Sequence, residues 1–223
     1  MISKLPRWVE VGGFWLACIA GAANSIGLLG FTHQAVSHLS ATSTLLGVSL
    51  VEGRLAETAH LLGIVLSFVV GAAGAGAILG NVALKLGRQY SFVLVIESLL
   101  LLMAMVALVQ DSGLGHFLAS AACGLQNGMV STYSGAVVRT THVTGLFTDL
   151  GTMLGAALRG HPLNTRQATL FLVLIAGFIA GGGVGAILFR WVQFYALLFP
   201  AAGAGALAVS YWVFRLRRRA KQV

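Results

Sequence analysis

Apolar residues along this chain come in long runs separated by short polar patches, without the alternation of a half-buried strand or the narrow stripe of a surface helix. Six runs reach the roughly 20 mostly apolar residues that a bilayer-crossing helix needs. They cover residues 8–31, 57–81, 89–109, 114–137, 167–189 and 191–214, and each predicts a helix. Trp8, Trp15, Trp191, Tyr195, Tyr211 and Trp212 fall near the ends of these runs, where amphipathic rings favour the headgroup level. Two further stretches, 35–51 and 139–158, are apolar but rich in Ser and Thr. They predict either two more spans or two pieces that enter the bilayer and return. Pro200 is expected to kink the last helix, and the segment after Phe214 to be a solvated basic anchor.

Composition turns this pattern into a class. Only 9% of the residues are Asp, Glu, Lys or Arg, against roughly 25% in an ordinary soluble domain, and 57% are apolar. A soluble fold of this size would lack a charged surface, and a disordered chain would be far less hydrophobic. The expectation is an all-α polytopic membrane protein, a single transmembrane domain over residues 1–223. The net charge of +8 does not point to nucleic acid, because the basic residues lie at the chain ends and between apolar runs, where headgroups and the positive-inside bias place them.

With the N-terminus in the cytoplasm, six spans leave only Arg54 and Arg190 outside; eight would put Lys85, Arg88 and Arg139 outside with Arg190 and return only Arg54. Six transmembrane helices, with both termini cytoplasmic, fit the bias better. Lys4 and Arg7 ahead of an apolar stretch ending in small residues resemble a signal peptide. Glu10, and a partner for this segment deep in the chain, argue that it stays as a helix. Cys18 and Cys123 each sit inside an apolar run, so neither a disulfide framework nor a CxxC site is available.

That partner belongs to an internal repeat. From Gly21, GAANSIGLLGFTHQAVSHLSATSTLLG matches, after one gap, GLQNGMVSTYSGAVVRTTHVTGLFTDLG from Gly124. Asn24 pairs with Asn127, His38 with His142, Ser40 with Thr144 and Gly47 with Gly151; further on, GAGAIL from Gly74 matches GVGAIL from Gly183. Each unit, about 8–110 and 111–214, is one helix, a hydroxyl-rich re-entrant segment and two more helices, and the basic tail 215–223 follows. With six spans the units begin on opposite faces, which makes a 3+3 inverted repeat. In such architectures polar sites lie near the midplane at the repeat interface.

A polar group in hydrocarbon needs a partner or a water-filled cavity. Asn24, Gln126 and Asn127, in the first and fourth helices, are either hydrogen-bonding glue between helices or part of a solute path. Ser40, Thr42 and Thr144 stand where helix N-caps would, leaving backbone N–H groups and positive dipole ends that favour an anionic or strongly dipolar solute. His38, Thr141, His142 and Asp149 complete the expected path, and Arg139 marks the cytoplasmic boundary. Glu97 is the only carboxylate squarely inside a confident span; such residues commonly face the bundle interior and relay protons or bind cations, so it is the expected proton-coupling residue.

With one His per motif and no Cys or carboxylate pair at ligand spacing, neither a metal site nor a cofactor is expected. His33, His60, His116 and His161 read as loop or interface residues. The absence of G-x-S-x-G, Walker, HExxH and EF-hand patterns leaves no catalytic residues to name and no enzymatic activity to expect. Gly76-x-x-x-Gly80 and Gly181-x-x-x-Gly185 are expected to let helices approach closely.

The residues Gly124, Gln126, Asn127, Thr141, Thr144, Gly145 and Asp149, in GLQN and TTHVTGLFTDLG, resemble the second signature of the YoaK-like family of bacterial membrane proteins, a domain of unknown function (DUF1275). The family's first signature reads approximately Gly-x-x-Asp-Ala, then His-x-Thr-Gly-Asn. The matching positions here are Gly21, Asn24, Ser25, then His38, Ser40, Ala41 and Thr42, so Asp is replaced by Asn and Gly-Asn by Ala-Thr. The resemblance covers most of the chain and implies an inner-membrane protein of about six helices, without an established activity.

The functional expectation is a small-solute transporter or channel of a bacterial inner (plasma) membrane, with its polar path between the two re-entrant segments. Its partners are then the lipid bilayer and a small polar or anionic solute. The alternative is a non-transporting integral-membrane scaffold or assembly partner. Six short helices enclose little volume, which fits a homodimer.

Overall fold

The computed structural model describes residues 8–30, 36–80, 88–134 and 140–220; Lys4, Arg7, His33, Lys85 and Arg139 lie outside them. Among the described residues every regular element is helical: α1 (Trp8–Gly30), α2 (Leu39–Val51), α3 (Leu55–Leu79), α4 (Arg88–Val109), α5 (Leu114–Ser134), α6 (Val143–Leu158), α7 (Thr165–Val192) and α8 (Leu198–Ala220), with a 3-10 turn at Gln193–Leu197. The stretches Glu10–Gly30, Leu55–Leu79, Arg88–Val109 and Thr165–Arg217 are long and apolar enough to cross a membrane. The last of these contains two helices and the turn between them. α5 is of similar length, 21 residues, but carries His116, Gln126 and Asn127, and its apolar character drops accordingly.

The first four long helices lie within a few residues of the predicted runs. The end of the chain differs. Gln193 takes a φ of 52° and its N–H closes on the Phe189 carbonyl, ending α7 there, later than the predicted bound at 189. Pro200 falls in the first turn of α8, where its missing N–H forfeits no intrahelical bond. It therefore opens the helix and does not kink it. Arg215, Arg217, Arg218 and Arg219 continue the helix to Ala220, and Lys221 lies outside the described residues.

Contacts fix the relative directions of the long helices. α1 and α7 run parallel: Gly13 meets Leu174, Gly21 meets Phe178, and Gly30 meets Phe189. α3 and α5 run parallel too, from His60 on His116 through Gly63 on Phe117 to Gly128 against Ala72 and Ala75. α4 is antiparallel to α5, with Tyr90 stacked edge-on against Tyr133 at one end and Leu108 against Gly115 at the other. It is also antiparallel to α8: Val93 and Leu94 share a core cluster with Ala208, Ser98 bonds the Ala201 carbonyl, and Leu108 shares a second cluster with Leu197. α8 in turn runs antiparallel to α1, through Ile19 on Gly203 and the clustering of Ile26 with Leu197. It follows that α1 opposes α3 and α5 opposes α7. The chain leaves α1 and enters α3 at the same end, and likewise for α5 and α7.

The tightest approaches occur twice. A methyl group on Gly21 would strike the Phe178 carbonyl, and one on Gly124 the Phe68 carbonyl; Gly181 sits on the Cys18 carbonyl as Gly71 does on that of Ala121. Only glycine lets two backbones come this near. By these contacts Phe68 answers to Phe178 and Gly71 to Gly181, one residue out of step with the match of GAGAIL to GVGAIL. Contact with the neighbouring helix sets the register, and the tally of small residues does not. The same contacts correct one expectation: Gly181 and Gly185 are packed, but a methyl group on Gly76 or Gly80 would meet nothing within 4 Å among the described residues.

Candidate functional site

A cavity of about 500 Å³ opens among α1, α2, α3, α5, α6 and α7. Asn24, Ser37, His38, Leu39, Ser40 and Phe68 line it from the first half of the chain; Asn127, Ser131, Thr141, His142, Val143, Thr144 and Phe178 do so from the second. Phe68 and Phe178 lie near the middles of α3 and α7, helices of 25 and 28 residues. The two halves of the sequence repeat therefore meet at one place. Apolar rings with a few convergent polar groups are the usual make-up of a small-molecule site.

Each asparagine holds the chain just ahead of a short helix. Asn24 Oδ1 accepts from the Ser37 hydroxyl at 2.7 Å and from the Ser37 backbone N–H at 3.2 Å. Asn127 Nδ2 donates to the Thr141 hydroxyl at 2.6 Å and to the Cys123 carbonyl, one turn back, at 3.0 Å. Ser37 and Thr141 occupy equivalent places, one residue before His38 and His142. These bonds aim the first turns of α2 and α6 at the cavity.

The N-caps of those helices are His38 and His142, and neither side chain caps a backbone N–H. The sequence expectation placed Ser40, Thr42 and Thr144 there, and it is corrected. Ser40 and Thr144 are already the second residues of their helices, and their carbonyls accept from Thr44 and Thr148 at 3.0 Å in both copies. Thr42 is buried, donates to the His38 carbonyl at 3.3 Å and does not line the cavity. Uncapped first turns leave backbone N–H groups and the positive helix ends to the cavity.

Three other expected residues lie elsewhere. Gln126 is 1% exposed and donates from Nε2 to the Leu16 carbonyl at 2.7 Å, which ties α5 to α1. Asp149 is exposed on α6, away from the cavity lining. Glu97 is 1% exposed within α4, with Oε2 making no hydrogen bond among the described residues. His60 and His116, read from sequence as loop or interface residues, lie inside α3 and α5 and share a 2.9 Å hydrogen bond remote from the cavity lining.

Sequence reasoning missed Ser37, Ser131, Phe68 and Phe178. Ser37 was within reach, since the repeat pairs it with Thr141. The two phenylalanines become equivalent only in the register that the helix contacts set.

Among the described residues, apolar helices of membrane length gathered round a cavity make this an all-helical protein of membrane type. The chain belongs to the family described as Protein of unknown function (DUF1275), whose family model matches residues 12–210. No curated protein and no solved structure matches it.

Proposed function

We propose that this is a multi-pass protein of a bacterial inner membrane, with cytoplasmic termini, that passes a small polar solute through the cavity. In this reading the six long helices cross the bilayer as a 3+3 inverted repeat and α2 and α6 are re-entrant. Their lengths support it: 13 and 16 residues extend about 20 and 24 Å at 1.5 Å per residue, short of the roughly 30 Å hydrocarbon core. The opposed directions of α1 and α3, and of α5 and α7, also suit segments that return to the face they entered.

One observation carries the functional proposal. Both copies of the Asn-to-His motif converge on one cavity close to the middle of the long helices, where inverted-repeat transporters hold their solutes. Glu97 is the candidate for proton coupling, because it is a buried carboxyl within α4 whose Oε2 makes no hydrogen bond among the described residues. A non-transporting scaffold is favoured by a different observation, the use of Gln126 to bind α1.

Flux assays on vesicles carrying the purified chain decide between the two. Passage predicts uptake of at least one small uncharged or anionic solute above empty vesicles, impaired by Asn127→Ala. The scaffold predicts no uptake and a loss of bundle stability alone.

A further inference from the structure

We infer that the solute is an uncharged molecule carrying both a hydrogen-bond acceptor and a donor, of the primary-amide class, held with its acceptor toward Asn24 and its donor toward Asn127. This rests on the passage site proposed above and names its ligand chemistry.

The orientation of each asparagine amide is fixed by a backbone partner that has no choice of role. The Ser37 N–H can only donate, so the Asn24 atom 3.2 Å from it is the carbonyl oxygen. The Cys123 carbonyl can only accept, so the Asn127 atom 3.0 Å from it is the amide nitrogen. Repeat-related residues are thus anchored through opposite ends.

What each has left is opposite too. Among the described residues Asn24 Nδ2 and Asn127 Oδ1 make no hydrogen bond, and neither is one of the sealed unpartnered atoms. Asn24 retains a donor and Asn127 an acceptor, and both residues line the cavity. The first turn of α2 adds donors beside Asn24, reinforcing an acceptor-seeking end.

Charge selects against ions. No described lining residue is Asp, Glu, Lys or Arg; a cation would face the positive helix ends and an anion the unpaired Asn127 Oδ1, so a neutral dipole is the species that suits both sides. A primary amide satisfies a donor and an acceptor at once; a carboxylate offers nothing to Asn127 Oδ1, and an ammonium nothing to Asn24 Nδ2. Sites built to hydrogen-bond both a donor and an acceptor discriminate against analogues that leave one group unmatched.

Propionamide, propionate and propylammonium, nearly equal in size, test this. Binding to the full chain in detergent is followed by titration calorimetry, and flux of the same three by vesicle swelling. Propionamide is expected to bind about tenfold or more tighter than either ion, the equivalent of one matched hydrogen bond.

Asn24→Asp keeps the acceptor that Ser37 needs but replaces the cavity donor with an anionic oxygen. It should weaken propionamide about tenfold and make propylammonium the preferred ligand. Propionate binding or crossing as well as propionamide would overturn the inference while leaving passage intact. Failure of all three to bind also overturns it, and if none crosses either, passage falls with it. The wild-type comparison is decisive alone if the Asn24→Asp chain does not fold.

Discussion

At the scale of single residues, the structure separates polar groups that bind helices together from those that face open space, a division the sequence leaves undecided. Gln126 and Asn127 are neighbours in one motif, yet Gln126 is spent on the Leu16 carbonyl and Asn127 reaches the cavity. Their type and spacing were legible; which way each points depends on where α1 lies, and no local pattern encodes that. Gln126→Leu should lower unfolding stability by about 0.6 kcal/mol and not more than about 1.7 kcal/mol, the range for interhelical bonds in membrane proteins. Solute preference in a vesicle assay should stay unchanged. Glu97→Gln keeps the shape of a buried side chain but removes its titrating group. If Glu97 couples protons, uptake by the variant should no longer respond to an imposed pH gradient, while its helical content by circular dichroism matches the native chain.

At the scale of elements, the long apolar runs announced their helices because length and hydrophobicity suffice for that. The caps of α2 and α6 did not announce themselves. Ser and Thr are strong N-cap formers, but the bonds from Asn24 to Ser37 and from Asn127 to Thr141 pin the chain earlier, and the helices start directly after His38 and His142. Glycine spacing misled in a similar way, since Gly76 satisfies the small-residue pattern but no described residue lies within 4 Å of where its Cβ would be, its own helix aside. Gly21→Ala would push a methyl into the Phe178 carbonyl and should destabilise the bundle by about 1–3 kcal/mol. Gly76→Ala should be neutral or stabilise by up to about 1 kcal/mol through helix propensity. Thermal unfolding of both variants, measured in one detergent, gives the contrast.

At the scale of the whole molecule, side-selective labelling checks the proposed topology. Under six crossings a cysteine replacing Arg54 reacts with an impermeant reagent added outside intact cells, and one replacing Arg159 reacts only after the cells are opened. Equal behaviour of the two would favour eight crossings, which put both inside. The repeat names Asn24, His38, Ser40 and their counterparts together, six of the thirteen described residues that line the cavity.

The pairing of helices carries a consequence for assembly. α1 takes α7 as its parallel companion and α3 takes α5, so each half of the chain completes its packing with a helix from the other. Cut in the turn between α4 and α5, the fragments should be degraded when made singly and recovered as a complex when made together.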